Sequence, residues 1–544
     1  MTSASSGSSS PQPSGPSFFA AFRQIGGLTA ISRVLGFGRD VILAVTIGAG
    51  PIADAFFVAF KLPNLFRRLT AEGAITNAFL PAYAKARKQS QAAADALASE
   101  IQLTLLWGLL ALMLVMQIFM PVVIGVLAPG FSVEDTRFDH AVTLARVTLP
   151  YLPMISMVAF WAAVTNANNH FFGGAAAPIL LNIMLMIGAV ISALIASFGA
   201  VPLALAVPMA GLLQMAMMQR ILASIGKTPS WGFWPRISQA GKAMWRKFFA
   251  AALGAGGTQL NLLVDMVLAS LMPVGAISAL YYADRIAQLP LGVIGIALGT
   301  ALLPRLSHLE AAGDDEEIRS AMAGGVRLGL FFALPSMMGA ILLAEDIIGG
   351  LFGYGAFDAA MITPTAQVLM AYALGVPAFI LAKVLQPSFY AADDPKTPLT
   401  ITLIAVVVNL IGSVTLMQVL GVVGLALATS IASWFIVTSY GVILWRRRRI
   451  DRRVGQGLWA MIGATLAMML VLIASSMIWA MGVMPYQSGL SGVMSVVATL
   501  FRLFLLIGLG GATYFVMGYW LGAMPMEMIA AFRRGKSTAK QGKA

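Results

Sequence analysis

The chain contains no cysteine and only 3 histidines among 544 residues, and only 10% of its residues are charged. The first absence removes disulfides, thiolate nucleophiles and thiolate metal sites. His140, His170 and His308 fall at predicted helix ends or loops with no second ligand at metal spacing, so no metal centre is expected. No phosphate-cradling P-loop, nucleophile elbow or His-Glu-x-x-His helix is present, which leaves catalysis and ATP hydrolysis without a motif and implies no organic cofactor. The shortage of charge is the most restrictive absence. With 59% hydrophobic residues, the chain has too few solvating side chains to cover a soluble fold.

What the sequence does have is long apolar runs, such as Ile101 to Ile124 and Leu458 to Met481, each sufficient to cross a hydrocarbon core about 30 Å thick as helix. A membrane β-barrel would show short alternating segments instead. The breaks between runs predict an all-α polytopic membrane protein of about fourteen helices, near 19–48, 52–84, 97–128, 141–170, 174–198, 201–224, 247–272, 277–304, 318–344, 363–391, 397–419, 421–445, 456–482 and 497–522. The Ser-, Pro- and Gly-rich start, residues 1–18, reads as a disordered cytoplasmic tail and not as a cleaved signal peptide.

The net charge of +13 is concentrated in alternate connections. Lys85, Arg87 and Lys88, then Arg220, Lys227, Arg236, Lys242, Arg246 and Lys247, then Arg305 and Arg319, then Arg446 to Arg449 with Arg452 and Arg453, share one side with the basic C-terminus. The opposite connections are short or acidic, with Glu134, Asp135 and Asp139 in one and Glu345, Asp346 and Asp358 in another. The excess of Lys and Arg predicts that both termini face the cytoplasm, and it makes nucleic acid a poor reading of the charge. Attraction to anionic membrane lipids is an added expectation.

The sequence also repeats. Ala55-Phe-Phe-Val-Ala-Phe-Lys61 aligns with Ala279-Leu-Tyr-Tyr-Ala-Asp-Arg285 at an offset of 224, Ala78-Phe-Leu-Pro81 with Ala301-Leu-Leu-Pro304 at 223, and Leu203-Ala-Leu-Ala206 with Leu425-Ala-Leu-Ala428 at 222. A nearly constant offset spanning six helices predicts two copies of like orientation, related by an axis along the membrane normal. The implied plan is an N-lobe at 19–225, a basic cytoplasmic linker at 226–246, a C-lobe at 247–446, two further helices within 447–525, and a basic cytoplasmic tail at 526–544.

Charges inside membrane helices cost a few kcal/mol even on the lenient insertion scale, so each needs a partner, water or a task. Helix 1 places Arg33 and Asp40 on one face with Gly36 between them and Arg39 to the side; an internal Arg–Asp bridge and a ligand site are the two readings. Helix 2 carries Asp54, Lys61 and Arg68 at sevenfold spacing, with Arg67 and Glu72 nearby, and Pro63 predicts a kink or break. Helix 8 supplies Asp284 and Arg285, the latter at the repeat position of Lys61. Arginine binds phosphate through two parallel hydrogen bonds and keeps its charge when partly dehydrated, which predicts an anionic, phosphate-bearing substrate. Asp265, alone in an apolar run, is a candidate H⁺ or Na⁺ site or a hydrogen-bond partner of Asn261; Lys383 is a candidate counter-charge.

The motifs Ser32-Arg-Val-Leu-Gly-Phe-Gly-Arg-Asp40, Asp54-Ala-Phe-Phe-Val-Ala-Phe-Lys-Leu-Pro-Asn64, Arg67-Arg68, Ala71-Glu-Gly-Ala74, Tyr281-Tyr-Ala-Asp-Arg285 and Gly295-Ile-Ala-Leu-Gly-Thr300 closely resemble the MurJ/MviN family of lipid II flippases, from about residue 19 to 525. The resemblance implies a multidrug/oligosaccharidyl-lipid/polysaccharide exporter fold, with two six-helix lobes in a V around a cationic cavity and two extra C-terminal helices forming a groove for a polyprenyl tail. By motif position it makes Arg33, Arg39, Arg67 and Arg285 substrate-binding, and Asp40, Asp54 and Glu72, with Asp284 beside them, acidic residues of the cavity and its gate. It implies lipid II as partner and leaves Na⁺, H⁺ or membrane potential open as the drive. The alternatives are a flippase for another undecaprenyl-linked glycan, a drug exporter of the same superfamily, or a transport-dead scaffold that recruits cell-wall synthesis enzymes. Cationic drugs favour a carboxylate-rich cavity and a degenerate scaffold should lose its intramembrane charges; this chain is arginine-rich and keeps them.

Overall fold

A computed structural model of the chain describes residues 18–69, 75–131, 136–234, 237–482 and 493–524. Glu72, both tails, Glu134, Asp135 and Arg236 lie outside the described residues, as do the side chains of Arg68 and Asn261. The described elements are helical. In chain order they are α1 (Phe18–Ile47), α2 (Pro51–Leu69), α3 (Ile75–Gln89), α4 (Gln91–Ile118), α5 (Met120–Leu127), α6 (Thr136–Thr148), α7 (Tyr151–Ala167), α8 (Phe172–Leu194), α9 (Val201–Ser224), α10 (Gln239–Ser270), α11 (Ala276–Pro290), α12 (Ile296–Ala312), α13 (Asp315–Leu342), α14 (Ala344–Phe352), α15 (Ile362–Ala373), α16 (Val376–Ala391), α17 (Lys396–Leu420), α18 (Val422–Arg446), α19 (Leu458–Gly482) and α20 (Val493–Trp520).

Among the described residues, 11 spans are long and apolar enough to cross a membrane. The remaining three places of the expected fourteen are held by α1, α2 with α3, and α10, and these are helices to which the sequence assigns intramembrane charges. Lipid offers the backbone no hydrogen bonds, so a spanning segment closes its own as helix. α2 runs through Pro63 to Leu69, so of the expected kink or break the proline does not make the break. Two predicted continuous helices are instead broken, 141–170 between α6 and α7 at Leu149-Pro150 and 363–391 between α15 and α16 at Leu374-Gly375. Pro153 and Pro377, 224 residues apart, stand just after the two breaks, where the missing N–H of proline is tolerated at the start of a new helix. A π-helical turn, Leu291–Gly295, also separates α11 from α12. α10 begins seven residues before the expected end of the linker.

The chain divides into two compact units. The first comprises Met1–Ile42, Ala59–Met120 and Thr143–Ala255; the second comprises Leu43–Val58, Pro121–Val142 and Gly256–Ala544. In the first, α8 and α9 approach closely because Gly188 has no side chain: a Cβ there would stand 2.6 Å from Ala206 Cβ. In the second, α17 and α18 meet in the same way at Gly412, where a Cβ would stand 3.2 Å from Ala428 Cβ. The two glycines are 224 residues apart and the two alanines 222, so one helix–helix seam is built twice, with the small residues that let membrane helices touch.

Gly295 and Gly299 form a second small-residue seam, against α16. A Cβ on Gly299 would stand 2.7 Å from the Lys383 carbonyl oxygen. Around it, Leu302, Leu306, Val326, Leu381, Val384 and Phe389 pack one apolar core of the second unit. A second core joins α19 and α20 to α13 through Phe331, Met468, Leu472, Leu506 and Tyr514, whose hydroxyl donates to the Phe331 carbonyl at 2.7 Å.

Candidate functional site

In the first unit the charged residues of α1 are organised around Arg39. Its Nε and Nη2 both donate to Asp40 Oδ1, at 3.0 and 2.6 Å, and its Nη1 donates to Asn182 Oδ1 of α8 at 2.9 Å. Asn182 is fixed in turn because its Nδ2 donates to the Ser32 carbonyl at 3.0 Å. Gly36 makes this possible, since a Cβ there would lie 3.5 Å from Asn182 Nδ2. Asp40 is buried and Arg39 mostly so, hence the guanidinium stays charged with its carboxylate and amide partners already in place. Arg33 is exposed on the same helix. Arg67 is half-buried on α2, where its Nε donates to Asn64 Oδ1 at 2.8 Å, and Lys61 is also half-buried.

In the second unit Asp54 is fully buried and caps α11. Its Oδ2 accepts from Gly275 N–H at 2.7 Å and its Oδ1 from Ser278 N–H at 2.9 Å and from the Ser278 hydroxyl. A carboxylate at a helix N-terminus satisfies orphan N–H donors and complements the dipole. Tyr281 follows on α11; its ring stacks on Phe57 at 3.9 Å, and the Arg285 guanidinium carbon lies 4.7 Å from its ring centre. Arg285 is therefore held over an aromatic face, which orients it. Asp284 next to it accepts from Gln288 Nε2.

Asp265, on α10, accepts from Asn409 Nδ2 of α17 at 2.8 Å, and Thr429 of α18 donates to Asn409 Oδ1 at 3.4 Å. Three helices thus bring three oxygen-bearing side chains together in an apolar setting. Lys383, on α16, is exposed. Among the described residues there is no group of three or more His, Asp or Glu able to hold a metal ion.

Several polar residues of these arrangements carry no sequence signal of their own. Asn182 and Asn409 are amides in apolar runs, and Arg137 is buried at 4.6 Å from the Phe131 ring centre and close enough to act electrostatically on Asp54. Arg502 pairs with Asp346 at 3.2 Å between α20 and α14, and burial pushes the Asp346 carboxyl up while Arg502 opposes it. The basic run after α18 is largely neutralised: Arg447 pairs with Asp394 at 2.8 Å, Arg449 with Glu310 at 2.9 Å and Asp315 at 2.7 Å, and Arg453 with Glu316 at 2.6 Å.

Repeated helix seams, helices broken at corresponding places and intramembrane arginines held by polar partners define a polytopic membrane transporter built from an internal duplication. The described fold is similar to a solved structure titled "Lipid II flippase MurJ, inward closed conformation", with TM-score 0.75 and 26% identity over 91% of this chain and 97% of that one. A multidrug resistance MATE family transporter in its inward-facing conformation shares the fold, at TM-score 0.61 and 16% identity over 77% of this chain and 94% of that one. A curated relative named probable lipid II flippase MurJ, from Rhizobium tropici, is 39% identical over 93% of this chain and 95% of its own length. One named lipid II flippase MurJ, from Burkholderia cenocepacia, is 34% identical over 76% of this chain and 81% of its own. The family profile described as "Lipid II flippase MurJ" matches residues 43–502, and the chain belongs to that family. It is accordingly a multi-pass bacterial membrane protein and a transporter, not an enzyme.

Proposed function

We propose that the chain moves lipid II from the cytoplasmic to the periplasmic leaflet of a bacterial inner membrane by alternating access, for peptidoglycan synthesis. The observation that carries this reading is Arg39, a guanidinium inside a membrane helix whose orientation is set by Asp40 and Asn182. A preoriented arginine matches an anionic pyrophosphate and discriminates against cationic cargo. Arg285 on Tyr281 and Arg67 beside Asn64 are the further cations assigned to the head group, with Arg33 at the exposed face of α1. Asp54 and Asp284 serve the gate, with Glu72 assigned there by its motif alone.

Both termini face the cytoplasm on the distribution of loop cations. For coupling, the reading is that Asp265, with the oxygens of Asn409 and Thr429, takes up Na⁺ or H⁺, while the membrane potential drives the anionic head group outward. Interaction with cell-wall synthesis enzymes is a secondary expectation of the same reading.

The test is rescue of a flippase-depleted bacterium by this gene, with lipid II assayed at the outer leaflet. Restored growth and outward lipid II are expected. Normal insertion without translocation would overturn the reading, and unimpaired rescue by Arg39→Ala would remove its carrying observation.

A further inference from the structure

Between α9 and α10 the chain does not hang free. In the first unit it is stitched along α4, turn after turn: Ser230 N–H donates to Ser99 Oγ at 2.9 Å, Ser238 N–H to Glu100 Oε1 at 2.8 Å, Trp245 Nε1 to Thr104 Oγ1 at 3.1 Å, and Trp107 Nε1 to the Phe233 carbonyl at 2.8 Å. Gly232 and Gly241 complete the fit, because a Cβ on either would stand 3.1 Å from Leu103 Cδ1 or 1.8 Å from Glu100 Oε1 respectively. The segment is a strap with a defined outer face.

That outer face is aromatic and basic. Phe233 is 70% and Trp234 76% exposed, and Trp234 stacks against Trp107 at 6.2 Å. Where the strap turns into α10, Gly241, Met244 and Phe248 face inward, while Lys242, Arg246 and Phe249 recur at i, i+4 and i+7 on the outer side with Lys247 beside them. Lys242, Arg246 and Lys247 form no ion pair with a described residue. The arginines after α18 provide the contrast, since Arg447, Arg449 and Arg453 are paired to carboxylates of their own chain. Of the acids on α4, Glu100 accepts from Ser238 N–H and Asp95 from Gln91 Nε2 at 2.7 Å. A cavity of about 320 Å³ beside the strap is charge-balanced, with Lys227 at 3.8 Å from Asp95, so it offers no net attraction for an anion.

We infer that this face is a docking surface for anionic phospholipid of the cytoplasmic leaflet: Phe233, Trp234 and Phe249 seat at the boundary of headgroups and acyl chains, and Lys242, Arg246 and Lys247 collect the phosphates. An indole amphipathic enough for that boundary, two exposed phenyl rings, and cations without an ion pair among the described residues fit a negatively charged lipid surface better than a protein partner. The choice of leaflet rests on the proposed orientation, whereas the lipid preference itself does not. Each cation near an anionic surface favours an anionic over a zwitterionic lipid by about fivefold.

The experiment uses the full-length protein, purified in mixed micelles with equal amounts of phosphatidylglycerol and phosphatidylcholine, and native mass spectrometry of retained lipids. Wild type should retain phosphatidylglycerol preferentially. K242Q/R246Q/K247Q should lower that preference about fivefold or more, and F233A/W234A should lower retention of both lipids together. An absent wild-type preference, or one unchanged in the triple variant, overturns the inference. Should the triple variant not fold, raised salt on wild type decides: the preference should fall with ionic strength, and a salt-insensitive preference overturns it. Failure here leaves lipid II rescue untouched, and failure of rescue leaves the lipid preference standing.

Discussion

Phe57 and Tyr281 lie ring on ring, with centroids 3.9 Å apart and planes 21° from parallel, and they are separated by the repeat offset of 224. Asp54 and Ser278, three residues earlier on each helix, are separated by the same interval and are hydrogen-bonded to one another. Two contacts thus join residues to their own repeat mates, and all four residues lie within the second compact unit. The offset read from one seven-residue and two four-residue alignments therefore has a physical counterpart in two contacts on the first two turns of α2 and α11.

Asp54 supplies every described side-chain acceptor for the first turn of α11, so Asp54→Ala should leave Gly275 N–H and both donors of Ser278 unpaired in a buried place. The expected loss is about 3 kcal/mol. Asp54→Asn keeps one acceptor oxygen and should fall between. Thermal unfolding in detergent orders the three proteins, and an alanine variant as stable as wild type would contradict the capping role.

Arg39→Lys keeps the charge but cannot address Asp40 and Asn182 through a rigid fork. Lipid II translocation should drop by about tenfold, corresponding to about 1.4 kcal/mol in transition-state free energy, with membrane insertion unchanged. Asn182→Leu should act in the same direction by releasing the guanidinium. The outer-leaflet lipid II assay with surface quantification checks both, and a fully active Arg39→Lys would show that charge alone suffices.

The spans, their orientation signal and the duplication are legible in the sequence because each is a statement about composition repeated over many residues. Partners are not. Asn182 lies 143 residues from Arg39 and nothing in an apolar run marks one amide for that contact. Arg447, Arg449 and Arg453 count correctly as loop cations, yet their neutralisation depends on carboxylates brought from α12, α13 and the α16–α17 turn. The breaks at Leu149-Pro150 and Leu374-Gly375 had local signals in Pro150, Pro153, Gly375 and Pro377, which a window tuned to apolar length averages away.

Asp394, in the turn before α17, is held down to about 2 by the Thr397 hydroxyl first and then by Arg447. A depressed carboxylate contributes stability that is complete above its ordinary value of 3.8 and is lost as pH falls through about 2. Because the pair lies in a turn with 42% of the Arg447 and 23% of the Asp394 side chain accessible, Asp394→Asn should cost only about 0.5 kcal/mol near neutrality. The gap between variant and wild type should close as pH falls below 4. A gap that stays constant down to pH 2 would assign the effect to packing and not to charge.

Arg502 on α20 and Asp346 on α14 are the pair most exposed to a double-mutant test. They meet at 3.2 Å with about a fifth of each side chain accessible, and Arg502 also lies 6.0 Å from the Trp479 ring centre on α19. Removing the cation alone leaves a partly buried carboxylate beside Glu345, so Arg502→Ala should destabilise by about 2 kcal/mol. Asp346→Asn in the same chain should recover part of that loss, since the uncompensated charge is then gone. A coupling of about 1 kcal/mol between the two substitutions is expected from thermal unfolding of the four proteins. Additive effects would mean that α19 and α20 are held to α13 and α14 by the Phe331–Tyr514 core alone, with the ion pair contributing nothing measurable.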